Sequence, residues 1–161
     1  MSSTEVHSNY FMHQQAQNQN GQIFAGYLID KACQCAYLSV QEICQLSLLE
    51  SEGKMTAEQI SHHLQMQNMD IVRFVTPVCV GDILEFRAQI TYVDIKNNKV
   101  RVRVVCETVS PSTGKSLTPD ENTSNVFNLT YQVTKIKLKQ VLPKTYKQSL
   151  LYLQGMRVMN N

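Results

Sequence analysis

Cysteines and histidines are the side chains best suited to metal or redox chemistry, and their spacing in this 161-residue chain argues against both. No two cysteines form a CxxC pair, and no cysteine stands at zinc-site spacing from a histidine. We interpret the five as buried free thiols in a reducing compartment. They are Cys33, Cys35, Cys44, Cys79 and Cys106. The adjacent His62 and His63 are interpreted as surface residues. The sequence therefore predicts no metal site and no redox cofactor.

The charged side chains are distributed unevenly. Residues 1–134 hold nine cations and all thirteen carboxylates, and the last 27 residues hold six cations. Those six are Lys135, Lys137, Lys139, Lys144, Lys147 and Arg157. Such a tail is suited to an acidic partner, a nucleotide-bearing ligand or an anionic membrane surface, and it also fits a simple solvated segment.

Hydrophobic periodicity predicts a long helix in the first third of the chain. An irregular Asn/Gln-rich lead-in, residues 1–17, comes first. Apolar side chains then recur every three or four positions over residues 28–44, which is helical spacing. Since Asp30, Lys31 and Glu42 are the charges in this stretch, most of the helix circumference is expected to be buried. A helix this apolar requires a sheet wrapped around it.

Strands are predicted after the helix. Residues 84–92, 100–106 and 127–133 alternate apolar with polar side chains, which is strand periodicity. Asn97-Asn98 between the first two runs is a hairpin signal. A shorter strand is expected over residues 70–76. The order of one buried helix followed by antiparallel strands predicts an α+β domain.

Shorter elements are expected in the connecting segments. Thr56 and Gln59 form the pattern of a capping box, which predicts a helix with the sequence TAEQISHHLQM. A final helix closed by Gly155 is expected near the C-terminus. Residues 111–122 contain two prolines and a glycine and are predicted to form a loop.

Four segments then carry a resemblance in a consistent order. They are NQNGQIFAGYL at 18–28, FVTPVCVGDIL at 74–84, TSNVFNLTY at 123–131, and LPKTY with YLQG within 142–155. Together they resemble the hotdog-fold acyl-CoA thioesterases, specifically the group of mitochondrial acyl-coenzyme A thioesterase 9. The resemblance implies a hotdog fold, in which an antiparallel sheet wraps around a long central helix. We expect this domain at 18–135, with a longer connector at 45–69 and a basic C-terminal tail with a short helix at 136–161.

The resemblance implies an active site at the N-terminus of the central helix, where a thioester is hydrolysed. Phe24, Ala25 and Gly26 would bind substrate there, because free backbone N–H groups and the positive end of the helix stabilise an oxyanion. Close packing of helix on sheet explains Gly26 equally simply. Asn18 matches an active-site amide that orients water or polarises the carbonyl, and it also fits a turn or capping asparagine.

Hydrolysis needs a carboxylate that activates water, and here the chain departs from the family pattern. Gln34 stands where the family commonly has Glu, and Ala25 replaces one glycine of a pair. Asp70 falls where the family often carries Asp, so it is the candidate catalytic carboxylate. Asp30, the other nearby carboxylate, is expected to face solvent or pair with a neighbouring lysine.

Ligands and partners are also implied by the resemblance. Arg101 and Arg103 share one face of a strand and are candidates for binding CoA phosphates, with a solvated strand face as the alternative. Family members usually carry two hotdog domains, so this one is expected to pair with another copy or with another hotdog protein. No nucleic-acid motif and no 18-residue apolar stretch is present, which argues against nucleic-acid binding and a transmembrane segment.

Two functions therefore stay open. The favoured one is hydrolysis of acyl-CoA to a fatty acid and CoA. The alternative is a catalytically silent hotdog subunit of a larger assembly, which the changes at Gln34 and Ala25 favour; an acyl-CoA sensor is a third, weaker hypothesis. The resemblance implies mitochondrial localisation, although the N-terminus shows neither a secretory signal nor an ordinary transit peptide, and a cytoplasmic protein is otherwise expected.

Overall fold

An antiparallel sheet of six strands packs against one long helix in the computed structural model, which describes residues 4–51, 53–110 and 123–159. The strands are β1 (Val6–Phe11), β2 (Leu64–Met69), β3 (Arg73–Phe74), β4 (Ile83–Asp94), β5 (Lys99–Ser110) and β6 (Thr123–Val133). The helices are α1 (Ala25–Glu50), α2 (Ala57–Ser61) and α3 (Tyr146–Met159). The strand order is β1-β4-β5-β6-β2, with β3 paired to β6. This confirms the predicted α+β class. The loop predicted at 111–122 lies outside the described residues.

The core lies between the sheet and one face of α1. Apolar side chains of β4, β5 and β6 point to this face and are buried, as the alternation predicts. One predicted inward residue, Tyr92, is an exception: the register shifts between Ile90 and Tyr92, and the Tyr92 ring contacts Tyr152 of α3. A β-bulge of this kind moves every following side chain to the other face, so the sequence pattern alone misplaces Tyr92.

The other face of α1 is open in the single chain. The buried residues of this helix are Leu28, Ala32, Cys35, Ala36, Ser39, Val40, Ile43, Cys44 and Ser47. Cys33 and Tyr37 are half-buried, and Gln34 and Leu38 are exposed. The expectation that most of the helix circumference is buried is therefore wrong for one isolated domain.

Two polar strands depart from the sequence prediction. β1 lies within the lead-in expected to be irregular and pairs with β4 from Val6↔Ala88 to Phe11↔Ile83. The capping box of Thr56 is confirmed, but α2 is shorter than the predicted helix. The segment that follows α2 forms β2, which pairs with β6. The strand expected over 70–76 is reduced to the two residues of β3. Backbone pairing with a neighbouring strand outweighs weak local patterning here.

The C-terminal helix packs on the sheet face opposite α1. The prediction that Gly155 ends the final helix is wrong, because α3 continues to Met159. Gly155 is buried because it meets the sheet closely: a Cβ at this position would lie 2.8 Å from Cβ of Tyr92 and 3.3 Å from Oγ1 of Thr91. The basic tail is thus in part a structural layer. None of the described helices is long and apolar enough to cross a membrane.

Candidate active site

The N-terminal end of α1 has no side-chain cap. Its N-cap residue is Phe24, which offers no capping hydrogen bond, and the first turn contains no acidic residue. The N–H groups of Ala25 and Gly26 have no hydrogen-bond acceptor among the described residues. Most helices satisfy these groups with Ser, Thr, Asp or Asn. Since the helix also concentrates positive partial charge at this end, an acceptor from outside the chain would be stabilised there.

The Phe24 ring lies over Gly26. A Cβ at Gly26 would overlap Cε1 of this ring, and the three side-chain atoms nearest to that position all belong to Phe24. The closest contact of Gly26 is thus with a side chain of the preceding segment, and both interpretations of this glycine stay open. The Phe24 side chain is 60% exposed, so the ring can turn into solvent and leave the backbone at Gly26 accessible.

Asn18 builds the tight turn that leads into α1. Its Oδ1 accepts hydrogen bonds from the backbone N–H of Asn20 (2.9 Å) and of Gln22 (3.1 Å). The turn interpretation is thus confirmed. Its Nδ2 has no hydrogen bond to any described residue, so the turn fixes the side chain with its donor end unused. This geometry favours polarisation of a carbonyl over acceptance of a hydrogen bond from water.

An apolar groove of about 600 Å³ follows the open face of α1. It is lined by Tyr10, Cys33, Gln34, Tyr37, Leu38, Leu64, Met66 and Tyr131. The hydroxyl of Tyr131 donates to the carbonyl oxygen of Cys33 (3.2 Å), which ties β6 to the helix. Burial raises the pKa of Tyr131, and burial followed by the charge of Asp30 raises the pKa of Cys33. The groove wall is therefore uncharged at neutral pH.

Asp70 and Arg101 lie on the other side of the sheet. They form an ion pair beneath α3, and Nη1 of Arg101 also donates to Oγ1 of Thr130 (3.3 Å). The Arg101 side chain is only 6% exposed, and Gly155 packs beside it. The structure does not bring Asp70 together with Asn18 in this chain. Because the two charges pair with each other, neither side chain is unpaired in this chain, and their predicted roles in catalysis and CoA binding stay predictions.

Arg103 is a cation on this face without an ion pair among the described residues. Its guanidinium is half-buried and makes no hydrogen bond or ion pair with a described residue, and burial lowers its pKa. It lines two small cavities beneath α3, of about 260 and 280 Å³. Arg87 and Lys147 line the first of these, although Arg87 pairs with Glu107. Of the two predicted phosphate-binding arginines, only Arg103 is free to bind an anion.

One carboxylate that the sequence analysis set aside lies on the open face of α1. Oδ2 of Asp30 accepts a hydrogen bond from Nε2 of Gln34 (2.9 Å), and Nζ of Lys31 is 3.5 Å from the same oxygen. The expected lysine pairing and solvent exposure are confirmed, with the side chain 58% exposed. The sequence could have indicated this arrangement, because the four-residue spacing places Asp30 one helical turn from both Gly26 and Gln34.

Comparison with known proteins adds the family context. No family model matches the chain. It is 30% identical over its full length to the mitochondrial acyl-coenzyme A thioesterase 9 of Homo sapiens, and 28% identical over 98% of its length to the mitochondrial acyl-coenzyme A thioesterase 10 of Mus musculus. The chain spans only 31% and 30% of those two proteins. The resemblance found in the sequence motifs is confirmed.

Solved structures decide the fold. An acyl-CoA hydrolase of Staphylococcus aureus, in complex with butyryl-CoA and CoA, superposes with a TM-score of 0.73 at 18% identity over 99% of this chain and 87% of that one. A hexameric acyl-CoA thioesterase gives 0.75 at 19% identity over 99% and 91%. A hexameric hotdog-fold thioesterase of Campylobacter jejuni gives 0.58 at 17% over 90% and 93%. This chain is a hotdog domain. In this hotdog domain α1 is the central helix, as the sequence resemblance implies.

Proposed function

We propose that this hotdog domain hydrolyses acyl-CoA thioesters to a free fatty acid and CoA. The observation that carries this proposal is the set of unused donors before and at the start of α1: Nδ2 of Asn18 and the N–H groups of Ala25 and Gly26. Fixed donors of this kind stabilise the negative charge that develops on a carbonyl oxygen under attack. The similarity to acyl-CoA thioesterases and hydrolases supports the same reaction.

The groove along α1 is proposed as the site of the acyl chain. Its wall is mostly apolar, and two of its titratable members, Cys33 and Tyr131, have raised pKa values and stay neutral. Rotation of the Phe24 ring would admit the thioester to the helix N-terminus. We propose Arg103 as the contact for CoA phosphates. Because Arg103 lies on the opposite sheet face, it would serve a CoA molecule bound at a neighbouring copy of the chain.

A second hotdog domain is proposed to cover the open face of α1. Leu38 and Met66 are exposed beside the groove, an arrangement that an isolated soluble domain usually avoids. The curated relatives are about three times as long as this chain, and two of the solved neighbours are described as hexamers. We propose that another copy of this chain supplies the second domain. The mitochondrial relatives likewise support a mitochondrial location.

Asn18→Asp is expected to lower thiol release from acyl-CoA by about tenfold or more, since removal of one oxyanion donor typically costs at least that much. The aspartate keeps the oxygen that holds the turn, loses the amide donor and adds a negative charge that repels the oxyanion. The measurement is CoA release from short to long acyl-CoAs, with the signal from the protein's own thiols subtracted. Asn20→Ala, in the same turn, is the control. A folded wild-type protein without turnover would favour the silent-subunit alternative.

Cys33 is expected to be protected from alkylation by a long acyl-CoA, because it lines the proposed acyl groove and is half-buried. Iodoacetamide labelling, followed by peptide mass spectrometry, measures the rate at this residue. Decanoyl-CoA should slow the reaction several-fold, whereas free CoA, which lacks the acyl chain, should leave the rate unchanged. Equal protection by both ligands would contradict the assignment of the groove.

A further inference from the structure

We propose that Asp30 is the carboxylate that activates water in this hotdog domain, and that Gln34 is the residue that positions it. Because a water-activating group has meaning only if the chain hydrolyses thioesters, this rests on the proposed function. The sequence resemblance points elsewhere, to the position now held by Gln34 and to Asp70. The side-chain contacts of α1 carry the assignment.

Asp30 lies on the same face of α1 as the unused donors and the groove. Gly26, Asp30 and Gln34 follow one another at four-residue spacing, so they share one face of the helix. A helical side chain leans toward the N-terminus of its helix, which directs the carboxylate of Asp30 over the turn that contains Gly26. Gly26 has no side chain, and the Phe24 ring beside it is exposed. A thioester bound at the helix N-terminus would therefore lie next to this carboxylate.

The two oxygens of Asp30 are in different environments. Oδ2 accepts from Nε2 of Gln34 (2.9 Å) and lies 3.5 Å from Nζ of Lys31. Lys31 in turn donates to Oε1 of Gln34 (3.3 Å), which orients the amide toward the aspartate. Oδ1 has no hydrogen bond to a described residue. One oxygen is thus held while the other is free to accept a proton, and the exposure of the side chain gives water access to it.

Other described carboxylates near the sheet are occupied elsewhere. Asp70 pairs with Arg101 beneath α3, and Glu107 pairs with Arg87 on the same sheet face. Asp82 is buried and accepts from the backbone N–H of Cys79 (2.8 Å). None of these lines the groove on α1, whereas Asp30 hydrogen-bonds to the groove residue Gln34.

The chemical step balances with water as the only co-reactant. Oδ1 of Asp30 takes a proton from water as the water oxygen bonds to the thioester carbonyl carbon. The carbonyl π pair moves to its oxygen, which the Asn18 amide and the first N–H groups of α1 stabilise. The pair then returns to re-form the carbonyl as the C–S bond breaks. The leaving thiolate takes the proton from Asp30, which releases CoA and the fatty acid and restores the carboxylate.

The test compares kcat and KM for acyl-CoA hydrolysis by the full chain and its variants. Asp30→Asn is expected to lower kcat about a hundredfold or more with KM nearly unchanged, as loss of a general base does. Glu42→Gln, on the same helix and half-buried, is the matched control and should retain the wild-type kcat. Gln34→Leu should lower kcat several-fold, and the fall in kcat should exceed any change in KM, which can arise because Gln34 also lines the groove. Circular dichroism verifies that each variant is folded.

A second variant separates chemistry from folding. Asp30→Asn combined with Gln34→Glu returns a carboxylate to the same helix face one turn later, and part of the lost kcat should return. Wild-type activity in the folded Asp30→Asn variant would overturn the assignment of Asp30 and leave thioester hydrolysis intact. If the wild-type protein shows no turnover, both the assignment of Asp30 and thioester hydrolysis are overturned. This outcome needs no variant.

Discussion

Asn98→Ala is expected to lower the free energy of unfolding by about 4 kcal/mol. Asn98 ends the β4–β5 turn with a positive φ of 54°, which costs alanine about 1 kcal/mol. Its Nδ2 donates to the carbonyl oxygens of Val133 (2.7 Å) and Ile136 (2.8 Å), and its Oδ1 accepts from the N–H of Leu138 (3.4 Å). Each such bond contributes about 1 kcal/mol, so the hairpin turn and the segment after β6 depend on this one side chain.

Urea unfolding followed by circular dichroism measures this loss. Asn98→Gly is the matched control, because glycine adopts the positive φ without strain and lacks the three hydrogen bonds. It should recover about 1 kcal/mol relative to alanine. If both variants unfold at the wild-type urea concentration, the side chain does not hold the segment 133–138 in solution.

Asp70→Asn is the second large effect, with an expected loss of about 2 to 3 kcal/mol of folding free energy. The variant leaves the guanidinium of Arg101, whose side chain is only 6% exposed, without its counter-charge. The loss stays moderate because the Asp70 side chain is 31% exposed, which gives water access to the pair. The kcat per folded molecule is expected to stay within about twofold of wild type, since the pair lies on the sheet face opposite the helix N-terminus where the thioester is proposed to react. KM for acyl-CoA is the parameter open to change, because Asp70 lines a cavity together with Arg103.

Two further variants make this prediction specific. Glu50→Gln removes an exposed ion pair, that of Glu50 with Lys139, and should change stability by less than about 1 kcal/mol. Arg101→Met added to Asp70→Asn removes the stranded charge and should restore part of the loss. A large fall in kcat for Asp70→Asn at unchanged stability would instead return Asp70 to the catalytic role that the sequence suggested.

The secondary structure was predictable where burial is one-sided and the residues are apolar. The helix α1 and the strands β4 to β6 bury apolar side chains at regular spacing, so the period of the apolar residues along the sequence identifies these elements. The strands β1 and β2 are rich in polar residues such as Asn, Gln, His and Ser. They form because their backbones hydrogen-bond to the neighbouring strands β4 and β6. Local sequence patterns do not reveal such pairing, which is why β1 was expected as irregular chain and only the first half of β2 was expected to be ordered, as helix.

The candidate site was predictable only in part. The motif around Asn18 and Gly26 gave the position of the helix N-terminus, because a short contiguous segment builds it. The placement of Asp70 depends on β6 and on how α3 covers Arg101, and these contacts join residues that are far apart in sequence. The sequence did not single out Asp30, because its proposed role rests on a hydrogen bond with Gln34, and a residue-by-residue comparison with the family cannot show a hydrogen bond.

Gly155 has a consequence for comparative genomics. A side chain at this position would collide with Cβ of Tyr92. The residue type at this position therefore indicates whether the terminal helix can pack on the sheet as a third layer, opposite the central helix. In a related chain with a bulky residue at this position, the terminal helix must stand further from the strands or attach elsewhere. A single alignment column would thus sort relatives into three-layer and two-layer forms, and crystal structures of one chain from each group would check the division.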